Sequence, residues 1–553
     1  MQIKTFRLAF YLSSWKLVLL ASVWIALLAN WPLWKAMANL PEMGKIRGIF
    51  FITAFALMVA ALLSAILSLL AWHSTVKPVI ALFLLAAALG TYFMGTYGVV
   101  IDSSMMVNVL VTDLQEVRDL LSFRLLLSVL FLAGLPLVFV WQVKLRPATL
   151  AQQLTRNLLV LAGSLTLVLI IGILSFADLS STMRNHRSLR YMINPLNSFY
   201  ALGMLIHEAN AMPNKPPAII DSTAKLLPRP AKTKPFLLLL VVGETARADH
   251  FSLNAYPRAT NPELGQRDVM SFRNVSSCGT NTATSLPCML SHLGRKDFVA
   301  RQQEYENLLD LLQQTGLAVF WLENQAGCKE VCDRIPHSFA KHPPKGIQHA
   351  AGICQEGECL DEALLTGLDA RLASLPEVRR NRGVVLVLHQ MGSHGPAYYK
   401  RSPPTHKPFQ PECKTNILQN CPIQQIINAF DNSIVYTDYL LSRGIDWLSK
   451  QQTNYETAML YLSDHGESLG ENNIYLHGLP YALAPKEQKQ VPMIFWLPPS
   501  TRLSKGVDYG CLHQKLDEPF SHDNLFHTVV GLVGIQTKSY QTSLDILHSC
   551  RSR

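Results

Sequence analysis

The chain has 553 residues, 49% of them hydrophobic and only 16% charged, against about 25% charged in an average soluble protein. That composition excludes a disordered chain and a wholly soluble enzyme. The net charge of +10 suits an anionic membrane surface or an anionic substrate as well as nucleic acid, and composition alone does not separate them.

Five stretches lack charge over about the 20 residues a bilayer requires: Leu17 to Trp34, Gly48 to Trp72, Pro78 to Ile101, Leu125 to Val143 and Asn157 to Ala177. The first is the shortest and contains Pro32. No small-residue cleavage site follows it, so a retained first span is expected rather than a signal peptide. Lys4, Arg7 and Lys16 precede span one, Lys77 follows span two, and Lys144, Arg146 and Arg156 follow span four. These alternate loops share one side, which reads as cytoplasmic. Asp102, Asp113, Glu116 and Asp119 lie between spans three and four, on the far side, while Lys35, Lys45 and Arg47 disagree mildly. Five spans with the N-terminus inside place everything after Ala177 outside.

Residues 1–180 are therefore expected to form the membrane domain. Residues 181–235 read as an interfacial helix and a linker. Arg184, Arg187 and Arg190 mix with Tyr191, Phe199 and Tyr200, as on a helix lying in the interface. Pro213, Pro216, Pro217, Pro228, Pro230 and Pro235 then argue for an extended connector.

Residues 236–553 read as a globular domain. Phe236 to Val242, Leu317 to Leu322, Gly383 to Leu388, Ala458 to Ser463 and Val491 to Leu497 are continuous apolar runs of strand length. Helical patterns intervene, the longest from Ile423 to Lys450. Strands apolar on both faces that alternate with helices predict an α/β domain with a mostly parallel sheet, covered on both sides. All ten cysteines lie between Cys278 and Cys550. An even number confined to the exported half reads as disulfides in an oxidising compartment. Their order suggests neighbours: Cys278 with Cys288, Cys328 with Cys332, Cys354 with Cys359, Cys413 with Cys421 and Cys511 with Cys550. Ten cysteines allow about 945 pairings, so order alone does not fix the connectivity. A zinc site from Cys328, Cys332, Cys354 and Cys359 is the competing reading, and an oxidising compartment weighs against it.

Open parallel sheets carry their chemistry at the carboxyl ends of the strands. Glu244 follows the first run, the Asp464–His465 pair follows Ser463, and His394 lies in the segment after Leu388. Acids and imidazoles meeting at one sheet edge form a metal-site pattern, and Glu, Asp and His are zinc ligands. Asp464 and His465 share a site only where the chain leaves the strand, a turn that Gly466 permits. The nucleophile is sought in the small polar loop between Cys278 and Cys288, where Thr280, Thr282, Thr284 and Ser285 all remain candidates. A metal lowers the pKa of a bound oxygen, which makes a threonine alkoxide accessible near neutral pH. Gly466-Glu467-Ser468-Leu469-Gly470 also matches the nucleophile elbow of serine hydrolases, but a metal explains the preceding Asp464 and His465 better.

Taken together, the five spans, the Pro-rich linker, Gly-Glu-Thr-Ala-Arg-Ala-Asp-His from Gly243, the Cys-Gly-Thr…Pro-Cys loop, His-Gln-Met-Gly-Ser-His-Gly-Pro from His389 and Ser-Asp-His-Gly-Glu-Ser-Leu-Gly-Glu from Ser463 resemble the lipid A phosphoethanolamine transferases. That family includes intrinsic bacterial enzymes and mobile colistin-resistance enzymes. The resemblance covers nearly the whole chain and implies an alkaline-phosphatase/sulfatase-like catalytic domain in the periplasm, anchored in the inner membrane. It implies Glu244, Thr282, Asp464 and His465 as zinc ligands and Thr282 as nucleophile. His394 and His477 match histidines that bind donor phosphate or a second zinc. Asn108, Thr112 and Glu116, spaced i, i+4, i+8, match a polar patch that contacts substrate; an ordinary solvated face is the alternative on spacing alone. Cys278–Cys288, Cys354–Cys359 and Cys413–Cys421 match disulfides of the family, and the other two pairs match only some members.

The activity so implied transfers phosphoethanolamine from phosphatidylethanolamine to a phosphate of lipid A through an intermediate on Thr282. The expected partners are these two lipids, with no nucleic acid, and the protein is expected to be a monomer with one tight zinc site and room for a second. The added ammonium would weaken binding of cationic polymyxins. Two rivals remain: a transferase of phosphoethanolamine or glycerophosphate that uses another envelope glycan, such as core sugars, and a non-enzymatic membrane sensor.

Overall fold

The computed structural model describes residues 10–111, 114–211, 215–229, 233–355 and 357–551. The chain divides into two compact units. One runs up to Met106 and resumes over Leu121–Ile206; the other joins Val107–Leu120 to His207–Arg553. The second unit therefore includes a segment from between two apolar helices, which the expected boundary at residue 180 does not anticipate.

Among the described residues of the first unit, four helices are long and apolar enough to cross a membrane: Ile46–Leu70, Val76–Tyr97, Phe123–Gln142 and Leu150–Leu174. A fifth candidate is a pair, Ser14–Leu27 and Trp31–Ala38, bent by 45°. Pro32 sits in the first turn of the second piece, where its missing N–H costs little. The break is sealed by polar groups. Asn30 Nδ2 donates to the carbonyls of Ile25 at 3.0 Å and Asn194 at 2.7 Å, and Asn194 N donates back to Asn30 Oδ1 at 2.8 Å. The basic, aromatic segment expected as one interfacial helix is instead three short pieces, Phe176–Asn185, Ser188–Tyr191 and Leu196–Ala211. Pro195 directly precedes the third, where a helix accepts proline and the residue before it resists helical geometry.

The second unit is built on an eight-stranded sheet. Its strands are β1 (Phe236–Gly243), β2 (Met270–Ser276), β3 (Ala318–Glu323), β4 (His337–Phe339), β5 (Val384–His389), β6 (Glu456–Ser463), β7 (Gln490–Trp496) and β8 (Phe520–Ser521). The order is β8-β2-β7-β6-β1-β5-β3-β4. Strands β6, β1, β5, β3 and β4 run parallel, while β7 is antiparallel to both β6 and β2. Alternation of side chains explains the unbroken apolar runs. Leu238, Leu240 and Val242 of β1 face one layer, which includes Leu286, Leu311 and Phe526. Leu237, Leu239 and Val241 face the other, under the helix Ile423–Gln451 with Ile434 and Leu441. Strand β2 lies outside the five expected runs because its exposure is mixed and its sequence carries Arg273 and Asn274.

The linker is not wholly free of structure. Lys225–Leu226 pairs with Ile535–Gln536, and Ala218 bridges to Tyr305. All ten cysteines are paired, as Cys278–Cys288, Cys328–Cys332, Cys354–Cys359, Cys413–Cys421 and Cys511–Cys550. No thiolates are left for a cysteine-ligated zinc.

Leu240 lies at the centre of the sheet with no exposed surface. Leu240→Ala is expected to cost the second unit about 2–5 kcal/mol. Urea unfolding of the full chain should show a lower midpoint with an unchanged slope.

Candidate active site

Strands β1 and β6 are neighbours and end level with each other, since Ser463 lies opposite Gly243. The next residues, Glu244 and Asp464, therefore emerge side by side. The Asp464 N–H still donates to the Gly243 carbonyl at 2.9 Å, and then the chain turns. Asp464 Oδ1 accepts from the N–H groups of His465 at 2.7 Å and Thr245 at 3.2 Å. Thr245 is left-handed, with φ 53°, a conformation uncommon for a residue with a β-carbon.

His465 Nδ1 lies 2.9 Å from the Gly466 carbonyl. It must be the protonated nitrogen, which leaves the Nε2 lone pair facing inward. Nε2 is 3.4 Å from Glu244 Oε1, Asp464 Oδ2 and Thr282 Oγ1 alike. Burial holds His465 below the ordinary histidine range, against the pull of Asp464. Glu244, Asp464 and His465 are fully buried, and their ligand atoms lie within 4.8 Å of one another. Asp464 Oδ2 is buried and accepts no hydrogen bond among the described residues. Two buried carboxylates beside a neutral imidazole form an anionic pocket whose charge the nearby donors offset only in part. A divalent cation with a preference for nitrogen and oxygen fits this donor set.

Thr282 opens the helix Thr282–Met289, capped by Asn281, whose side chain accepts from the Thr284 N–H at 2.9 Å. Its hydroxyl donates to Glu244, 3.0 Å from Oε2 and 3.3 Å from Oε1. The other hydroxyls of the loop have other geometries. Thr280 donates to the Leu479 carbonyl at 2.6 Å, and Ser285 donates to the Asp464 carbonyl at 2.5 Å. Thr284 follows on the same helix, and only its backbone N–H is bonded to the cap. Ser468, the candidate elbow serine, is buried and accepts from Gln488 Nε2 at 3.0 Å.

His477 and His394 complete one wall. The ring centroid of His477 is 4.4 Å from that of His465 and 5.7 Å from that of His394. Burial, reinforced by His477, pushes His394 well below the ordinary range, so it stays neutral. His477 Nδ1 lies 2.7 Å from Glu467 Oε2, and Tyr398 donates to Glu467 Oε1 at 2.5 Å. Of the polar patch, Asn108 lies in the helix Ser103–Val111 and the backbone of Glu116 in Leu114–Leu120. Thr112 and the Glu116 side chain lie outside the described residues.

Several residues of this site escape the sequence analysis. Gln325 donates to Glu244 Oε2 at 2.6 Å. His522 Nε2 donates to the Ser463 carbonyl at 3.0 Å, and its Nδ1 accepts from the Cys278 N–H at 3.1 Å. Burial lowers the pKa of His522 to about 4, so a neutral ring bridges the threonine loop to the Asp464 strand. Both residues are single polar side chains with no motif around them. Glu467 stands inside the elbow motif, where attention falls on the serine. The role of Gly466 also differs from the expected turn: its φ is not left-handed, but a β-carbon there would lie 2.1 Å from the Glu487 carbonyl oxygen. Close approach of a backbone, not conformational freedom, requires that glycine.

Residues 237–535 match the sulfatase family, and residues 58–209 match the family described as phosphoethanolamine transferase EptA/EptB. Phosphoethanolamine transferase EptA of Escherichia coli K12 is 38% identical over 539 residues, covering 97% of this chain and 96% of the relative. The chain belongs to the phosphoethanolamine transferase family. Phosphatidylethanolamine transferase Mcr-1 of E. coli is 37% identical over 491 residues, covering 88% of each. The structure of lipooligosaccharide phosphoethanolamine transferase A from Neisseria meningitidis superposes with a TM-score of 0.92 at 34% identity, covering 98% of this chain and 100% of that one. In this member, the strand-end acids, the imidazole and the capped threonine are drawn together from sequence-distant segments.

The Cys278–Cys288 bond brackets Thr282 and closes a loop worth about 2–3 kcal/mol in the chain-entropy model. The Cys278→Ala/Cys288→Ala double variant is expected to lose turnover by about 10- to 100-fold through misplacement of Thr282. Its second unit should still melt cooperatively; wild-type turnover would refute this role for the bond.

Proposed function

We propose that the protein transfers phosphoethanolamine from phosphatidylethanolamine to a phosphate of lipid A, with Thr282 as the transient carrier. The observation that supports this reading most is the Thr282 hydroxyl, held 3.0 Å from Glu244 at the mouth of the buried Glu244–Asp464–His465 cluster. Its full-chain relatives are named for phosphoethanolamine or phosphatidylethanolamine transfer.

The Thr282 hydroxyl gives up its proton as its oxygen attacks the phosphorus of phosphatidylethanolamine, and the phosphorus–oxygen bond to diacylglycerol breaks, the departing oxygen taking up a proton to leave as the alcohol. Phosphoethanolamine is then carried as an ester of Thr282. A phosphate oxygen of lipid A attacks the same phosphorus and frees the threonine. Glu244, Asp464, His465 and Thr282 would hold one zinc ion, which supplies positive charge to acidify the hydroxyl and to offset charge on the phosphoryl oxygens. His394 and His477 bind the phosphoryl group from one side, and Glu467 fixes the ring of His477. Asn108, Thr112 and Glu116 are assigned to the ethanolamine end, where a carboxylate suits an ammonium.

In this reading, residues 1–180 anchor the protein in the inner membrane, with the N-terminus cytoplasmic. Residues 181–235 connect the anchor to a periplasmic catalytic domain, 236–553, and the protein acts as a monomer. Alternating charge in the short loops and ten cystine-forming residues beyond Ala177 support that orientation. A modified lipid A carries an added ammonium, which weakens attraction of polymyxins.

Peptide mass spectrometry of protein incubated with phosphatidylethanolamine alone tests the carrier. A phosphoethanolamine adduct is expected on Thr282. Thr282→Ala should abolish both adduct and product, and chelation of zinc should do the same. Product formed by Thr282→Ala without any adduct would establish direct transfer between the lipids instead.

A fragment beginning near Pro235 retains Glu244, Thr282, Asp464 and His465 but lacks the anchor and the segment Val107–Leu120. It is expected to bind zinc and to modify lipid A poorly in cells, read by mass spectrometry of extracted lipid A. Modification equal to that by the full chain would refute the need for the membrane-linked part.

A further inference from the structure

We propose that Asp119 and Arg401 are positioning residues for this reaction, acting on His394 through its backbone carbonyl. The inference rests on the reading of His394 as a group that binds the phosphoryl moiety. Arg401 follows the turn Tyr398–Lys400 and is 7% exposed. Its guanidinium joins three separate parts of the second unit. Nε donates to the His394 carbonyl at 2.9 Å, Nη2 pairs with Asp119 Oδ2 at 3.1 Å, and Nη1 pairs with Glu358 Oε2 at 3.4 Å. Glu358 adjoins the Cys354–Cys359 bond.

Asp119 is 4% exposed and is itself held from three sides. Beyond Arg401, its other carboxylate oxygen pairs with Lys400 Nζ, and its backbone carbonyl accepts from Asn416 Nδ2 at 2.5 Å. A planar guanidinium has donors in a fixed fork, so the direction of one contact constrains the others. With Asp119 neutralised, Arg401 remains buried, and among the described residues its remaining ion pair is with Glu358, at the longer distance. A buried charge that loses its partner is driven to rearrange. The nearest rearrangement turns the fork toward Glu358 and slackens the bond to the His394 carbonyl.

The group that fixes Arg401 comes from the helix Leu114–Leu120, in the stretch of sequence between the apolar helices Val76–Tyr97 and Phe123–Gln142. The placement of His394 thus depends on a segment that is absent from the sequence of the catalytic domain proper.

The test is a double-mutant cycle on the full-length protein in phosphatidylethanolamine nanodiscs, with lipid A as acceptor. Wild type, Asp119→Asn, His394→Ala and the double variant are compared by kcat, by donor KM and by melting temperature. Asp119→Asn is expected to lower kcat about tenfold, with KM changed by less than about twofold and the melting temperature retained. In the His394→Ala background, the same substitution should add less than about twofold, since the two act through one group. Asp119→Glu should recover part of the loss in the parent. If Asp119→Asn does not fold, Asp119→Glu takes its place in the cycle, and the same outcomes decide the proposal at smaller amplitude. Losses that multiply in the double variant, or a loss confined to KM, would overturn the proposal while the reading of His394 stands. Wild-type kcat in His394→Ala would overturn that reading and the proposal with it.

Discussion

Two carboxylates that share a buried pocket repel each other and lose hydration, and the site is organised around that cost. Glu244 and Asp464 emerge together because β1 and β6 are parallel neighbours in register. Nearby donors offset part of the charge: Gln325, the hydroxyl of Thr282 and the N–H groups of Thr245 and His465. They leave Asp464 Oδ2 without a hydrogen bond. The donor set fits a cation, and binding one there would convert the cost of burial into affinity and a strong local field.

The scaffold leaves little flexibility in this arrangement. The sheet's central strand is buried on both faces, and helices lock it from either side. The helix that presents Thr282 is held at its start by a cap and in its last turn by the cystine of Cys288, and His522 ties the preceding loop to the end of β6. Each constraint removes a way for the hydroxyl to drift from Glu244, which is how a site holds reacting groups in attack geometry without reorganising.

Much of this is legible in the sequence because burial on both faces writes itself as unbroken apolar runs. Phe236 to Val242 and Ala458 to Ser463 read as strands, and the residues after them as a site. Strand β2 does not, since its half-exposed positions mix Arg273 and Asn274 with Phe272 and Val275. Among the loop hydroxyls, residue types alone leave four candidates; three-dimensional register separates them by which one reaches Glu244. Gln325 and His522 act through hydrogen bonds to groups far away in sequence, His522 through both ring nitrogens, and nothing local marks them. Gly466 stands out along the chain for the wrong physical reason, because the opposing carbonyl of Glu487 is not visible there.

The spacing of the cystines has a consequence for how the chain matures. Four of the five bonds join residues only 4, 5, 8 and 10 positions apart, and the fifth spans 39. Partners so close in sequence meet at high effective concentration even in an unfolded chain, because the entropy of closing a loop grows with its length. If the domain is exported as proposed, each cysteine that leaves the translocation channel second in its pair finds the native partner as its nearest available thiol. Oxidation in order of emergence would therefore yield the native pattern, with more call for a thiol oxidase than for an isomerase that reshuffles mistakes.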